Sequence, residues 1–282
     1  MKTGIIGAGR AGCSLGNYFH GNGVTLAGYY DTDSAAAKEA AEFTQTAFFT
    51  QLEPLVRESD LLLITTPDSQ IVPVWEQIKG MLHRNQIIGH CSGALSSDSF
   101  SGADEAGVFC CSVHPMLPFS NKFSSSEPLE HAFFTVEGHP TAIQTIRGLL
   151  TSCGNTVCEI DAAVKPSYHA AASILSNQVI AVLDFGYQLL EACGFSREEA
   201  RRASAGLVQT NLNNVLANGC TAALTGPIER GDTATVKKHL ACLSEADARL
   251  YRMLGARLLV LAQQKNPTRD YGPMQQLLCM DE

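Results

Sequence analysis

The chain alternates short apolar runs with longer segments of helical period. "TGIIG" at the start is β-rich, and the small-residue segment after it predicts a helix from about residue 10 to 20. "VTLAGYYD" (24–31) predicts a second strand, and "TDSAAAKEAAEF" predicts a helix with a Thr/Asp/Ser start. "AFFT" (47–50) reads as a third strand and "LEPLVRES" as a short helix. "DLLLITTP" (60–67) has the continuous apolar character of a strand buried on both faces. A helix is expected from Pro73 to about Leu82, then strands "QIIGHC" (86–91), "VFCCSVH" (108–114) and "HAFFTVEG" (131–138). A helix begun by Pro140 and stopped by Gly154, then the strand "NTVCEI", close the series. Such alternation predicts an α/β domain with a doubly wound, mostly parallel sheet. The Ser-rich stretch 118–131 reads as a surface loop at the mouth of a site.

Past Asp161 the pattern changes to helical periods alone, so an all-helical domain follows. The division expected is residues 1–162 and 163–282. Ser196 and Glu199 spell a capping box after Gly194, Asp232 is placed to cap "TATVKKHLACL", and Ser244 with Asp247 to start "EADARLYRMLGARLLVLAQQ". The helix opening "KPSYHAAASILSN" (165–177) looks buried nearly all round, yet Lys165, His169, Ser173 and Asn177 recur every fourth position along it.

Composition narrows the possibilities. A length of 282 residues with 45% hydrophobic residues suits one or two globular domains. The net charge of −8, with no basic run longer than two residues, argues against nucleic acid and anionic membranes as partners. The first residues are too Gly-rich for a secretory signal, and polar residues interrupt the apolar stretch 170–195, so neither export nor a membrane span is expected. Ten cysteines without a C-x-x-C fit reduced thiols in a cytoplasm. The eight histidines include no H-x-x-x-H, so no metal site is expected.

"GAGRAG" gives Gly7, Gly9 and Gly12 the G-x-G-x-x-G spacing between a strand and a helix. There Gly7 permits the tight turn, Gly9 lets a pyrophosphate approach the backbone, and Gly12 lets the helix pack on the strand. Asp31, at the end of the second strand, is placed to accept hydrogen bonds from an adenosine ribose, while Asp33 suits the capping of the next helix. NAD or NADP is therefore the expected cofactor. NAD is favoured because no Arg follows Asp31, although Lys38 stands within reach of a 2′-phosphate. Gly7, Ala8, Gly9, Arg10, Ala11, Gly12 and Asp31 are the binding residues expected, with Thr65, Thr66 and Pro67 bordering them from the end of the fourth strand.

"HCSGAL" (90–95), "SVHPMLPF" (112–119), "YHAAASILSN" (168–177) and "ALTGPIERGDTATVKKHL" (223–240) add a resemblance. In their order and spacing the chain resembles an uncharacterised family of Rossmann-like oxidoreductases with a C-terminal helical domain of unknown function. That family lies within the 6-phosphogluconate and β-hydroxyacid dehydrogenase-like superfamily, beside ketopantoate reductase, pyrroline-5-carboxylate reductase and prephenate dehydrogenase. The resemblance implies a Rossmann domain, a helical substrate and dimerisation domain, and a homodimer. The broad apolar faces after Ser196 point to the same pairing. In the β-hydroxyacid dehydrogenases a catalytic Lys on the interdomain helix has an Asn four residues later. Here Lys165 has His169 in that place and precedes Pro166, which disfavours helical geometry at 165. His169 is therefore preferred to Lys165 as the proton carrier, with Asn177 beside it.

Ser92, Gly93 and His114, at the ends of the fifth and sixth strands, together with Ser173 and Arg230, are the substrate-binding candidates. Each also has a plainer reading: a core histidine for His169, a helix-to-helix hydrogen bond for Asn177, a cap for Ser92, a turn for His114 and a surface residue for Arg230. The functional expectation is hydride transfer between NAD(P) and a small-molecule carbonyl, hydroxyl or imine in a cleft between the domains, with an imidazole exchanging the proton. The alternative is a sensor or scaffold that binds dinucleotide without turnover.

Overall fold

In the computed structural model, residues 1–123 and 127–279 are described. Two compact units emerge, Met1–Val182 and the chain from Leu183 onwards. The first is built in chain order from β1 (Thr3–Ile6), α1 (Arg10–Gly21), β2 (Leu26–Tyr30), α2 (Ser34–Thr44), β3 (Phe48–Phe49), α3 (Leu52–Glu58) and β4 (Leu61–Ile64). Next come α4 (Asp68–Ile78), β5 (Ile87–His90), α5 (Ala103–Ala106), β6 (Phe109–Pro115), α6 (Glu127–Glu130), β7 (Phe133–Gly138), α7 (Pro140–Ser152) and β8 (Thr156–Glu159).

The eight strands form one sheet in the order β3-β2-β1-β4-β5-β6-β7-β8. All neighbours pair in parallel except β6 and β7. The apolar run of β4 explains why this sheet must be covered on both faces. Leu61 and Leu63 point to one side, into a core with Tyr18, Phe19, Phe134 and Ile146. Leu62 and Ile64 point to the other, into a core with Leu55, Ile71, Trp75 and Ile88. Strand period and two-sided burial together make the sheet doubly wound.

Two details depart from the sequence reading. The helix expected to start at Pro73 starts at Asp68 and carries Pro73 inside it. Pro73 is the sixth of its eleven residues, where the helix forgoes the one N–H bond that this residue would make. The surface loop 118–131 contains the one-turn α6, and its residues 124–126 lie outside the described residues.

From Lys165 the structure is helical. α8 (Lys165–Ser173) leads through a π-helical turn, Ile174–Gln178, into α9 (Val179–Ala192). After these come α10 (Arg197–Ala223), broken at Gly219, α11 (Pro227–Arg230), α12 (Thr233–Cys242), α13 (Glu245–Lys265) and α14 (Gly272–Leu278). The caps lie where the sequence places them. Ser196 and Glu199 form both halves of a capping box, Asp232 accepts from Thr235 N, and Ser244 accepts from Asp247 N. Ile228, Val236, Leu259, Ala262 and Met274 form the second unit's own core. Among the described residues no helix is long and apolar enough to cross a membrane.

Helices α8 and α9 are not buried all round, as their composition suggests. Their only buried residue is Lys165, while Ile174 is 53% exposed, Leu175 72% and Ile180 66%. Lys165 is also inside the helix rather than before it, with φ −51° and ψ −43°. It occupies the first helical position and Pro166 the second, where the ring needs no N–H of its own. Anchoring of its side chain, described below, outweighs the pre-proline bias.

Candidate functional site

Strand order reverses between β1 and β4, since the chain leaves β1 toward β2 and β3 and later returns to β1's other side. Loops after these two strands diverge and leave a crevice at their carboxyl ends. A cavity of about 210 Å³ lies there, lined by Gly7, Gly9, Asp31, Thr65, Thr66, Pro67 and neighbouring apolar side chains. The glycine loop and the β4 end, far apart in sequence, meet as expected.

Each glycine in this loop has a distinct physical reason. Gly7 has φ +107°, a conformation that L side chains rarely adopt. At Gly12 a Cβ would stand 2.0 Å from the Gly7 carbonyl oxygen, so only glycine lets α1 pack this close. At Gly9 a Cβ would meet nothing within 4 Å. Gly9 caps α1 with no side-chain hydrogen bond, and the first turn carries no acidic residue. The helix therefore presents its free N–H groups and positive end to open space, an arrangement suited to phosphate.

The threonines divide the work. Thr65 Oγ1 donates to the loop, 2.7 Å from Gly7 O and 3.2 Å from Ile6 O, and holds it to β4. Thr66 Oγ1 is buried with no hydrogen-bond partner, although its residue lines the cavity. A buried hydroxyl without a partner costs about 1–3 kcal/mol, which a ligand atom would relieve. Asp31 Oδ2 accepts from Ala8 N at 2.7 Å and Oδ1 from Asp33 N at 2.9 Å. Oδ1 also accepts from Thr32 Oγ1 at 3.4 Å, while Oδ2 keeps a lone pair for a ribose hydroxyl. Asp33 caps α2 through Ala35 N and Ala36 N. An open cradle, an unsatisfied hydroxyl and a carboxylate in the crevice together fit a dinucleotide.

A second cavity, about 660 Å³, opens beside the ends of β5 and β6 and is walled by one face of α8 and the π-helical turn. It takes in His114, Met116, Leu117 and Pro118 from one side and His169, Ala172, Ser173, Ser176 and Asn177 from the other. His169, Ser173 and Asn177, the recurring polar positions, thus do share one cavity. His169 is exposed and makes no hydrogen bond to any described residue, while Asn177 Oδ1 accepts from Ser176 Oγ at 3.0 Å. Both imidazoles crowd Gly93: a Cβ there would lie 2.8 Å from His114 Nε2 and 2.9 Å from His169 Cδ2. Gly93 is what allows the two rings to share the space.

Beneath this cavity lies a polar floor. Ser92 Oγ donates to Asp68 Oδ2 at 2.8 Å and accepts from Ala94 N and Leu95 N, so it ties the β5 loop to the start of α4. Lys165, 1% exposed, donates to Ser92 O at 2.9 Å and to Ser112 Oγ at 2.5 Å, and Ser112 Oγ itself donates to Ser92 O. Burial pulls the Lys165 ammonium below the ordinary lysine range. His114 Nδ1 meets Tyr168 OH at 2.7 Å. Burial, reinforced by Lys165 and His169, holds His114 down to about 4, so its ring is neutral at pH 7. His90 is likewise held to about 4 by burial, with Nε2 on Ser96 O.

Asp68, Ser112, Lys165 and Tyr168 were not among the site residues expected. Tyr168 sits one step, about 100° of helix, away from the His169 face, so a search for one polar seam passes over it. Lys165 and Tyr168 are three apart and share the face that meets the sheet. That spacing was the signal available. Arg230 lies exposed on α11, in the second unit.

Residues 1–115 match the model of a Rossmann-like domain, and residues 132–258 match the model of a domain of unknown function, DUF2520. The chain thus joins a Rossmann-like domain to a DUF2520 domain, the pairing that the resemblance implies. No curated protein matches the chain in sequence. Among solved structures it is similar to a candidate NADP oxidoreductase of Bacteroides fragilis, 19% identical over 92% of this chain and 98% of that one, with a TM-score of 0.73. A Thermotoga maritima protein is 21% identical over 93% and 99%, also with a TM-score of 0.73. A pyrroline carboxylate reductase of Plasmodium falciparum, solved with NADP bound, is 15% identical over 95% and 97%, with a TM-score of 0.62. At these identities the likeness is one of fold.

Proposed function

We propose that the protein is an NAD(P)-dependent oxidoreductase that moves a hydride to or from a carbonyl, hydroxyl or imine of a small molecule held beside His114 and His169. The observation that carries this reading is the uncapped N-terminus of α1 facing open space at Gly9, next to the unpartnered Thr66 hydroxyl. Several similar folds are named as NADP-linked reductases, which supports the class.

On this reading Gly7, Ala8, Gly9, Arg10, Ala11 and Gly12 wrap the pyrophosphate and Thr65, Thr66 and Pro67 flank it. The Asp31 carboxylate binds the adenosine ribose, and its charge opposes a 2′-phosphate, so NAD is favoured over NADP. The dinucleotide, when bound, supplies the hydride chemistry. This chain's side chains handle the rest. His169 gives or takes the proton of the reacting group, the general acid–base role that an imidazole within reach of a substrate fills. Asn177 and Ser173 orient the substrate along the same helix face. Asp68, Ser92 and Lys165 hold the β5 loop so that Gly93 stays under the two rings. Residues 1–162 serve the dinucleotide, and residues 163–282, including Arg230, serve the substrate and pairing of two copies. The chain works as a cytoplasmic homodimer.

Calorimetry with NADH and NADPH, followed by turnover of a panel of hydroxy, keto and imino acids, tests the reading. Binding with turnover supports it. Binding without turnover on any substrate favours a sensor or scaffold, and no binding removes both.

A further inference from the structure

The contact between Tyr168 and His114 carries more than packing. The rings meet edge to face at 87°, with centroids 5.5 Å apart and the phenol oxygen 2.7 Å from Nδ1. His114 Nε2 has no partner among the described residues, and it is not sealed away, so it opens to the cavity beside Gly93 and His169. A neutral imidazole has one N–H and one lone pair, and whatever its first nitrogen does dictates what the second offers. The direction of the Tyr168 bond therefore decides how the cavity meets a substrate.

Two arrangements compete. In one the phenol donates to Nδ1. In the other Nδ1–H donates to the phenol oxygen, and the hydroxyl proton must go elsewhere. Thr135 Oγ1 is the other polar atom beside the phenol, and it stands without a hydrogen bond. A separation of 2.7 Å matches hydroxyl donors better than N–H donors, whose mode is about 2.9–3.0 Å. Donation by Nδ1 would turn the phenol proton onto Thr135 Oγ1 and leave the buried threonine hydroxyl hydrogen without an acceptor, whereas donation by the phenol leaves its oxygen free to accept from Thr135 and gives every hydrogen of the three groups a partner. Burial raises the Tyr168 pKa, which keeps the phenol proton in place to donate.

We propose that Tyr168 donates to His114 Nδ1 and so fixes His114 as the Nε2–H tautomer, which makes the cavity a site for a substrate whose reacting atom is a hydrogen-bond acceptor. This rests on the reading of the cavity as the substrate site. A carbonyl or hydroxyl oxygen meets that requirement. An iminium nitrogen has no lone pair to accept with, and it would face the N–H head-on. The two imidazoles then differ in role: His114 holds the oxygen, and His169 exchanges the proton. Tyr168 is a positioning residue that acts through His114.

The test is two-bond ¹H–¹⁵N correlation spectroscopy on the full chain labelled with ¹⁵N-histidine, with the His114 signals assigned by their loss in His114→Gln. The wild type is expected to show His114 protonated at Nε2 and bare at Nδ1. In Tyr168→Phe the bond that favours the neutral ring is lost, so the His114 titration midpoint should rise from about 4 toward the ordinary histidine value of 6.5. Lys165, His169 and Asp68 are the charged or titratable groups that also act on this ring, and all three remain in the variant. A wild-type ring protonated at Nδ1, or a midpoint that falls or stays put in Tyr168→Phe, overturns the proposal. Should that variant misfold, the wild-type spectrum alone decides the tautomer. For the substrate half, pyruvate and the permanently cationic iminium 1-methyl-1-pyrrolinium-2-carboxylate are offered to the wild type with NADH and NADPH. Turnover of the keto acid alone supports it, and reduction of the cyclic iminium at an equal or greater rate overturns it. Failure with both counts against the oxidoreductase reading and the substrate half together, while the spectra still decide the tautomer.

Discussion

Two cavities open at the carboxyl edge of one sheet, and they are made of different material. The cavity at the glycine loop is backbone: an uncapped helix end, a left-handed Gly7 and a contact at Gly12 that no side chain permits. The cavity at the imidazoles is side chain: His114, His169, Ser173 and Asn177 over a floor knotted by Lys165. A backbone site demands glycines at set places and is intolerant of volume. A side-chain site stands on a frame that survives the loss of any one chemical group, so chemistry and folding separate there.

The largest effect expected from that contrast is on the side-chain cavity. His169→Ala should lower turnover by about 10²–10⁴-fold, the usual share of a proton-transfer group, with dinucleotide affinity unchanged. The ring is exposed and unbonded, so the melting temperature should hold. Normal activity with a lower melting temperature would make His169 a structural residue instead.

Next in size is Gly9→Val. Its φ of −76° suits any residue and its Cβ would meet no protein atom, so the fold should survive. Replacing glycine at a helix N-cap costs about 1 kcal/mol at most. Dinucleotide affinity should nevertheless fall by roughly a hundredfold or more, because the methyls fill the space left for phosphate. Calorimetry that finds the wild-type affinity would dissociate the loop from the dinucleotide.

Gly12→Ala should do the reverse and injure the fold first. Its methyl would press on the Gly7 carbonyl, with an overpacking cost of about 1–3 kcal/mol. Denaturant titration reads this directly, and an unchanged midpoint would mean that α1 can slide away from β1.

The last effect is graded and lies in acid. His90 and His114 are both held near 4 in the folded chain against 6.5 otherwise. Between those values the unfolded chain binds more protons, so stability is full above about pH 6.5 and falls as pH drops toward 4. His90→Asn should flatten part of that slope. A melting temperature that rises on acidification would reverse the assignment.

The same contrast decides what could be read from the sequence. Backbone sites leave spacing behind, so Gly7, Gly9, Gly12 and Asp31 were legible, as were the strands whose side chains alternate between two cores. Caps such as Ser196 with Glu199 act over three residues and were legible too. The polar floor was not, because Asp68, Ser92, Ser112 and Lys165 come together only through sheet pairing. Their contacts span 20 to 73 residues. Pro166 misled for a related reason: the local preference of its predecessor yields to the anchoring of Lys165. The burial of α8 and α9 could not be judged from apolar content, since an apolar helix looks alike whether its own chain or another covers it.

That last point has a thermodynamic consequence. Leu207 is 75% exposed, Leu216 84% and Met253 70%. Apolar side chains of this kind, if they close against a second copy, bind only the folded chain, and mass action then enters the stability itself. The protein would melt at a higher temperature when concentrated than when dilute, and Leu216→Glu would remove that dependence while leaving the dilute melting point where it was.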